Sequence, residues 1–203
     1  YGMSETIINT SNPLQGERIA GTVGFALPGQ RVRVADEAGV PVPAGEVGMI
    51  EVAGPNVFQG YWRMPEKTAE EIRADGFFIT GDLGVQAADG RLSIVGRSKD
   101  LVISGGYNVY PKEVEVALDD MAQVSESAVI GVPHPDFGEA VVAVIVPVAD
   151  EVTQVQVDAA LGDQLARFKQ PKRVMNVTEL PRNTMGKVQK NVLREQYADL
   201  FRA

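Results

Sequence analysis

The pattern of the sequence changes near residue 97, and this change divides the chain into two parts that must be built differently. Between residues 22 and 96, short β-branched stretches alternate with tight turns, whereas helical patterns alternate with β-branched strands after residue 97. The first pattern is typical of antiparallel sheets and the second of mixed α/β domains. We therefore predict an α+β protein of two domains, with the boundary in the polar stretch at residues 97–100.

Local patterns predict the individual elements. In the first part, alternation predicts strands at residues 31–34 and 49–52, and Asp89-Gly90 predicts a hairpin turn between strands at residues 83–86 and 92–95. Pro65 suits the first position of a helix, which Asp75-Gly76 is expected to end. The second part is predicted to contain a helix at 111–119, strands at 127–132 and 141–147, a helix at 155–166, a strand at 173–177 and a helix at 190–200.

The composition excludes several kinds of functional site. The chain has no Cys, so disulfides, thiolate metal sites and Cys nucleophiles are excluded. Its single His, His134, leaves little room for a Ser-His-Asp triad and is expected to be a structural or solvated residue of a rigid loop between two prolines. No apolar run approaches the length needed to cross a bilayer. These features favour a cytoplasmic protein without a membrane partner.

The charge distribution points to a small anionic ligand. A net charge of −8 argues against nucleic-acid binding. Residues 163–195, however, contain eight Lys or Arg against three Asp or Glu, which is a local charge of +5. Such a region suits the phosphates of a nucleotide or of coenzyme A, although a solvated basic face would have the same composition. Within it, residues 168–173 are expected to form a solvated loop, with contact to CoA phosphates as the alternative.

Short motifs in the first part carry residues suited to nucleotide chemistry. Glu5, in the opening YGMSE sequence, can hold Mg²⁺ through its carboxylate, and Ser4 can donate to a phosphate. Asp82 follows Gly81 at a strand end, where a carboxylate can accept both hydroxyls of a ribose. Arg97 can add a contact to the ribose or to a phosphate. An ordinary turn is the alternative interpretation of these positions.

Two motifs in the second part suit the reacting groups. Gly105 and Gly106 carry no Cβ, so a narrow ligand can pass close to the backbone; a flexible turn is the alternative. Lys187 follows Gly186, and its ammonium can neutralise a carboxylate and an α-phosphate as they approach; a surface lysine is the alternative. Trp62, in the first part, is interpreted as a local packing residue.

In their order along the chain, these motifs resemble the adenylate-forming superfamily, which includes acyl-CoA synthetases, peptide-synthetase adenylation domains and firefly luciferase. The resemblance spans nearly the whole chain. Within the superfamily, the sequence is most similar to the malonyl-CoA synthetases, which also use methylmalonate, through residues 9–13, 60–68 and 180–195.

The resemblance implies a division into two domains. Residues 1–97 would be the end of a large N-terminal domain, including its distorted antiparallel β-barrel part. Residues 98–203 would be a small, mobile α/β C-terminal domain that turns about a hinge at Lys99. The superfamily's phosphate-binding loop and most of its acyl pocket would lie upstream of Tyr1, so we expect the chain alone to be inactive.

The resemblance also implies a two-step reaction with ATP, Mg²⁺ and coenzyme A. A small carboxylic acid, here malonate or methylmalonate, first forms an acyl-AMP and pyrophosphate, and the CoA thiol then displaces AMP. The implied site residues are Lys187 and Glu5 for catalysis, Glu5 for Mg²⁺, Tyr1, Ser4, Asp82 and Arg97 for the nucleotide, and Gly105, Gly106 and Tyr107 for CoA. Lys187 also resembles a lysine modified by protein lysine acetyltransferases.

Two other functions remain open from the sequence. The enzyme can adenylate another acid or deliver it to another acceptor, such as a carrier-protein thiol. Alternatively, the chain is a non-catalytic fragment that binds nucleotide only, although the intact Lys187 and the glycine pair argue against decay.

Overall fold

A computed structural model describes residues 1–202, and the chain divides into two compact units, Tyr1–Lys99 and Asp100–Ala203. The first unit consists of β-strands and one short α-helix, whereas the second combines three α-helices with a larger sheet. The α+β class predicted from the sequence is therefore confirmed.

The first unit contains two pairs of short strands and one larger sheet. Its elements are β1 (Gly2–Met3), β2 (Ile7–Ile8), β3 (Thr10–Ser11), β4 (Phe25–Ala26), β5 (Arg31–Ala35), β6 (Val47–Ala53), α1 (Pro65–Glu71), β7 (Phe78–Gln86) and β8 (Leu92–Arg97), followed by a 3-10 turn at Ser98–Asp100. Strand β1 pairs with β2 and β3 pairs with β4, while β5 to β8 form an antiparallel sheet in sequence order. Both strands predicted from alternation are confirmed as β5 and β6.

The four-stranded sheet buries an apolar face. Val34 lies opposite Ile50 across β5 and β6, and both pack with Val52 and Leu92 in one buried cluster. The predicted hairpin turn joins β7 to β8, and Gly90 there has a φ of 92°, which favours glycine. The sheet is open, and the described residues contain no closed barrel. The barrel implied by the resemblance is therefore represented here only by its antiparallel strands.

Helix α1 begins at Pro65 as predicted but is shorter than expected. It ends at Glu71, and the next residue, Ile72, is extended and forms a β-bridge with Phe78. The prediction that residues 75–76 end the helix is wrong, because they form a separate turn after the bridge. Pairing with β7 thus ends α1 before its local end signal is reached.

The second unit is built on a five-stranded sheet. Its elements are β9 (Val102–Ser104), β10 (Tyr107–Val109), α2 (Pro111–Asp119), β11 (Val124–His134), β12 (Gly138–Pro147), α3 (Gln154–Leu161), β13 (Arg173–Asn176) and α4 (Lys190–Gln196). The strand order is β10-β9-β12-β11. Strand β13 lies off this path and pairs in parallel with residues 142–145 of β12, whereas β9 meets β12 at Gly138.

Both faces of the long β11–β12 hairpin are covered. Val129 and Ile145 pack with Leu118 of α2 and Leu161 of α3 in one cluster. On the opposite face, Ile130 packs in a second cluster with Leu193 of α4. Alternate residues of a strand point to opposite faces, so the two clusters together bury the apolar side chains on both faces of these strands.

The predicted helices and strands of the second unit are confirmed, with different ends. Helix α2 has the predicted bounds, while α3 ends at Leu161 and α4 ends at Gln196, earlier than expected. A capping box between Thr153 and Gln156 starts α3. The two long strands extend beyond their predicted ranges, so His134 ends β11 instead of lying wholly in a loop.

Candidate functional site

Ser4 and Glu5 lie in a tight turn between β1 and β2. Gly2 pairs with Ile8 and Met3 with Ile7, which leaves residues 4–6 as the connection. Ile7 has a φ of 57°, a conformation that is unfavourable for a β-branched residue. Ser4 is exposed and Glu5 is partly buried. The turn therefore presents a hydroxyl and a carboxylate close together on a constrained backbone.

The Tyr61 hydroxyl lies between two carboxylates. It is 2.6 Å from Glu71 Oε2 and 3.2 Å from Glu5 Oε1. Burial, followed by the hydrogen bond to Glu71, raises the pKa of Tyr61, so the hydroxyl keeps its hydrogen at neutral pH. A hydroxyl has one hydrogen to donate, and the shorter distance assigns it to Glu71. The Glu5 carboxylate is thus left with free capacity for a cation.

Asp82 is the centre of a second polar cluster in the same unit. Its Oδ2 accepts a hydrogen bond from the Tyr1 hydroxyl at 2.5 Å, and its Oδ1 lies 2.7 Å from Arg97 Nε. Thr80 Oγ1 accepts from the Asp82 N–H at 3.1 Å and donates to the Ile50 carbonyl at 2.7 Å, which fixes the strand at this point. The structure therefore brings together three of the predicted nucleotide-binding residues.

The surroundings of Asp82 determine what it can bind. Only 4% of Asp82 is exposed. The pKa of the neighbouring Tyr1 hydroxyl is raised, first by burial and then by its hydrogen bond to Asp82. Tyr1 therefore remains a donor, and Arg97 balances the carboxylate charge. A carboxylate has about four acceptor positions, so Asp82 can accept further hydroxyl donors beside these two partners.

The glycine pair of the second unit forms the tip of the β9–β10 hairpin. Gly105 and Gly106 have φ values of 59° and 83°, and a Cβ added at Gly106 would meet no atom within 4 Å. Tyr107, next in the chain, is 59% exposed and stacks on Phe168 at a centroid distance of 4.7 Å. The hairpin thus presents open backbone beside a supported aromatic ring.

Lys187 lies on an exposed turn stabilised by Asn183. The Asn183 side-chain oxygen accepts from the N–H groups of Met185 and Lys187, each at 3.0 Å, and the Asn183 backbone N–H donates to the Lys187 carbonyl at 3.0 Å. Gly186 has a φ of 78°, the left-handed conformation that favours glycine. The backbone of this turn is therefore ordered, while the lysine side chain is exposed.

Acidic partners reduce the free charge of the basic segment 163–195. Four of its eight cations form ion pairs with carboxylates of the second unit, namely Lys169 with Glu113, Arg182 with Glu126, Lys190 with Glu115 and Arg194 with Asp100. Among the described residues, Lys187 has no such partner. The free charge is thus concentrated on fewer residues than the sequence indicated.

Three aromatic positions differ in outcome. Trp62 is 86% exposed, so its interpretation as a packing residue is wrong. His134 stacks on Phe137 at 4.5 Å between ring centroids and lies 4.9 Å from the Phe201 ring, which supports a structural role. Phe168, expected in a solvated loop, is partly buried under Tyr107.

Sequence reasoning missed the contacts of the Tyr61 hydroxyl with Glu5 and Glu71. Tyr61 stands in the GYW motif, but nothing in that motif shows a link to a turn more than fifty residues earlier. In the sequence, Glu71 looks like an ordinary exposed residue of a helix. Lys99, the expected hinge, is an exposed residue of the 3-10 turn between β8 and β9.

These features define a class of enzyme. The turn carboxylate and the Asp82 cluster of the first unit, and the Gly-Gly hairpin and Gly-Lys turn of the second, are the motifs through which the sequence resembles adenylate-forming enzymes. Family comparison agrees: the AMP-binding enzyme model matches residues 1–62, and the AMP-binding enzyme C-terminal domain model matches residues 113–187. Together they cover more than half of the chain, which belongs to the AMP-binding enzyme family.

Individual relatives support this membership. The ATP-bound structure of MatB from Rhodopseudomonas palustris is 61% identical, with a TM-score of 0.93, over 100% of this chain and 41% of that one. The malonate–CoA ligase of Arabidopsis thaliana is 39% identical over 96% of this chain and 34% of its own length. The indoleacetate–CoA ligase of Aromatoleum aromaticum is 39% identical over 98% of this chain and 39% of its own.

The chain spans less than half the length of these relatives. No helix among the described residues is both long enough and apolar enough to cross a membrane.

Proposed function

We propose that the chain is the C-terminal part of an ATP-dependent acid–CoA ligase that activates malonate or methylmalonate through an acyl-AMP intermediate. The observation that carries the ligase chemistry is the cluster at Asp82, where a buried carboxylate is held by Tyr1 and Arg97 with acceptor positions to spare. Malonate is supported by the Arabidopsis malonate–CoA ligase and by the motifs that resemble malonyl-CoA synthetases. A cysteine-free chain suits the proposed cytoplasmic location.

The nucleotide is assigned to the first unit. Asp82 accepts the ribose hydroxyls, Arg97 balances the charge, and Ser4 donates to the α-phosphate. Mg²⁺ would be held by Glu5 together with phosphate oxygens, since Mg²⁺ commonly takes one or two carboxylates and completes its shell with phosphates and water. This fits the structure, because Glu5 retains acceptor capacity while the Tyr61 hydrogen is closer to Glu71.

The two steps are assigned to different parts of the second unit. Lys187 stabilises the negative charge that develops as the carboxylate attacks the α-phosphate. Rotation about Lys99 then replaces Lys187 with the Gly105–Gly106 hairpin, along which the pantetheine of CoA reaches the acyl-AMP. Tyr107 supports the CoA beside the hairpin. In this proposal, acyl-AMP formation and transfer to CoA take place at the same reaction centre, one after the other.

The second carboxylate of malonate needs a cationic partner. We expect that partner in the part of the ligase that precedes Tyr1, and Arg18 is a further candidate. Arg18 lines a cavity of about 710 Å³ and donates only to the carbonyls of Pro13 and Leu14. Its remaining N–H groups are available to an anion.

Lys187 is also the proposed target of a protein lysine acetyltransferase. It is exposed on a turn and has no ion-pair partner among the described residues, so its amine is accessible. Acetylation would convert the ammonium to a neutral amide and remove the charge needed for the first step.

Another acid is the second candidate substrate, because the indoleacetate–CoA ligase is as similar as the malonate–CoA ligase, at 39% identity. The test uses the complete ligase, meaning a chain of the relatives' full length that contains these 203 residues. Malonate, methylmalonate, acetate, indoleacetate and octanoate are compared by pyrophosphate release and by acyl-CoA formation. We expect malonate and methylmalonate to be preferred in both assays.

Other results separate the alternatives. Preference for octanoate or indoleacetate would contradict the malonate assignment. Adenylation without transfer to CoA would indicate another acceptor, such as a carrier-protein thiol. ATP binding without pyrophosphate release from any acid would indicate a non-catalytic nucleotide-binding protein.

A further inference from the structure

The direction of the Lys187 side chain depends on its backbone. The side chain is exposed and has no ion pair among the described residues, so no neighbouring carboxylate fixes it. A charge that stabilises a transition state acts best when it is held in place before the reaction. The contacts of the turn itself must therefore provide that order.

The peptide group between Gly186 and Lys187 is held at both of its polar atoms. The Gly186 carbonyl accepts a hydrogen bond from Arg182 Nη1 at 2.7 Å. The Lys187 N–H donates to Asn183 Oδ1 at 3.0 Å. Two bonds on opposite sides of one peptide plane restrict its rotation, and with it the direction of the Lys187 Cα–Cβ bond.

Arg182 connects this peptide group to the sheet. Its other terminal nitrogen, Nη2, forms an ion pair with Glu126 Oε2 near the start of β11. A guanidinium is planar and presents its donors in fixed directions, so one contact orients the other. At the far end of the turn, Lys190 pairs with Glu115 at 2.5 Å, and Glu115 accepts from the Val129 N–H of β11. Both ends of the turn are thus anchored to β11.

We propose that Arg182 is a positioning residue that orients the backbone of Lys187 for acyl-AMP formation; this rests on the proposed function. The alternative is that Arg182 only stabilises the fold through Glu126. The two side chains are 42% and 34% exposed, and exposed pairs contribute little to stability. The carbonyl bond to Gly186 is therefore the contact that distinguishes the two roles.

The first test measures exchange of the Lys187 amide by NMR in the complete ligase that contains these 203 residues. Arg182→Met is compared with Arg202→Met. The control substitution removes an exposed ion pair with Asp199 that lies outside the Lys187 turn. We expect exchange of the Lys187 amide to become about tenfold faster in Arg182→Met, because a weakened turn opens more often. The control should leave it unchanged. Unchanged exchange in Arg182→Met would overturn the proposal.

The second test measures the two half-reactions in the complete ligase. Arg182→Met should lower kcat for acyl-AMP formation by roughly tenfold, with KM for ATP and acid within about twofold, because orientation is lost while binding remains. Conversion of supplied acyl-AMP to acyl-CoA should be unaffected. Equal losses in both half-reactions would show a general structural role and refute positioning.

A charge exchange separates the two roles of Arg182 further. In the double variant Arg182→Glu, Glu126→Arg, the ion pair can re-form, but residue 182 can no longer donate to the Gly186 carbonyl. We expect stability to match that of the unsubstituted protein while acyl-AMP formation stays slow. Normal acyl-AMP formation in the double variant would overturn the proposal. If the unsubstituted ligase adenylates no acid, the proposed function fails, and the role of Arg182 in acyl-AMP formation fails with it. Unchanged amide exchange in Arg182→Met would instead refute only the positioning role of Arg182.

Discussion

Replacing Asp82 by Asn tests the proposed nucleotide site at Asp82 with an almost isosteric change. The Asp82 side chain is 6% exposed, with Arg97 Nε at 2.7 Å from Oδ1 and the Tyr1 hydroxyl at 2.5 Å from Oδ2. An amide offers one acceptor oxygen and one donor nitrogen. If the amide oxygen keeps the hydrogen bond from Tyr1, the amide nitrogen faces Arg97, and the substituted side chain no longer balances the charge of that guanidinium.

The magnitude follows from these contacts. A hydrogen bond to a charged group contributes about 1.5–3 kcal/mol. The Arg97 side chain is 45% exposed, so water partly solvates the released guanidinium and lowers the cost. We expect the free energy of unfolding to fall by roughly 1–2 kcal/mol. Loss of one charge-assisted bond from the ribose should raise KM for ATP by about 10–100-fold.

Two measurements check this prediction. Urea unfolding of the 203-residue chain, followed by circular dichroism, gives the stability change. Initial rates of pyrophosphate release by the complete ligase give KM for ATP. Asp89→Asn is the matched control, because Asp89 lies on the β7–β8 turn, is 53% exposed and pairs with Arg91 only at 3.5 Å. If Asp82→Asn lost stability like this but kept its KM, the carboxylate would not face the nucleotide.

Three further substitutions test the division of labour in the complete ligase. Lys187→Ala, like acetylation of Lys187, should slow acyl-AMP formation by roughly 10²–10³-fold because one preorganised charge is lost, while supplied acyl-AMP is still converted to acyl-CoA; the reverse pattern would contradict the assignment. Lys99→Pro restricts φ to about −65° and should impair mainly one half-reaction, whereas small, equal effects would refute the hinge. Gly106→Leu, at a φ of 83°, should block pantetheine and spare pyrophosphate release, with Gly45→Leu at 89° as the strain-matched control; normal acyl-CoA formation by Gly106→Leu would place the tunnel elsewhere.

Local patterns predicted the regular elements because those patterns act within a few residues. Strands β5 and β6 follow two-residue alternation, and the Asp89-Gly90 turn follows from the positive φ that glycine tolerates. Helix α2 has its predicted bounds, since Pro111 supplies the first position and Val114 and Leu118 share a buried face. The order of motifs likewise identified the family without any tertiary information.

Helix ends and side-chain environments were less predictable. Helix α1 ends at Glu71 because Ile72 pairs with β7, a contact that competes with the local end signal. Trp62 looked like a packing residue because large aromatic side chains are usually buried, yet it is exposed. Such outcomes depend on what the remainder of the fold places beside a residue.

The sequence by itself therefore determined the class of fold, the family and the candidate residues, because propensity, periodicity and motif order are properties of the chain. Only the tertiary structure decided how those residues are held. The Tyr61 hydroxyl between Glu5 and Glu71, the Asp82 pair with Arg97, and the Arg182 contact with Glu126 join positions far apart in sequence. A change of a few tenths of an ångström in the donor–acceptor distance decides whether a hydrogen bond is good. Those distances are set only when the sheets and helices pack.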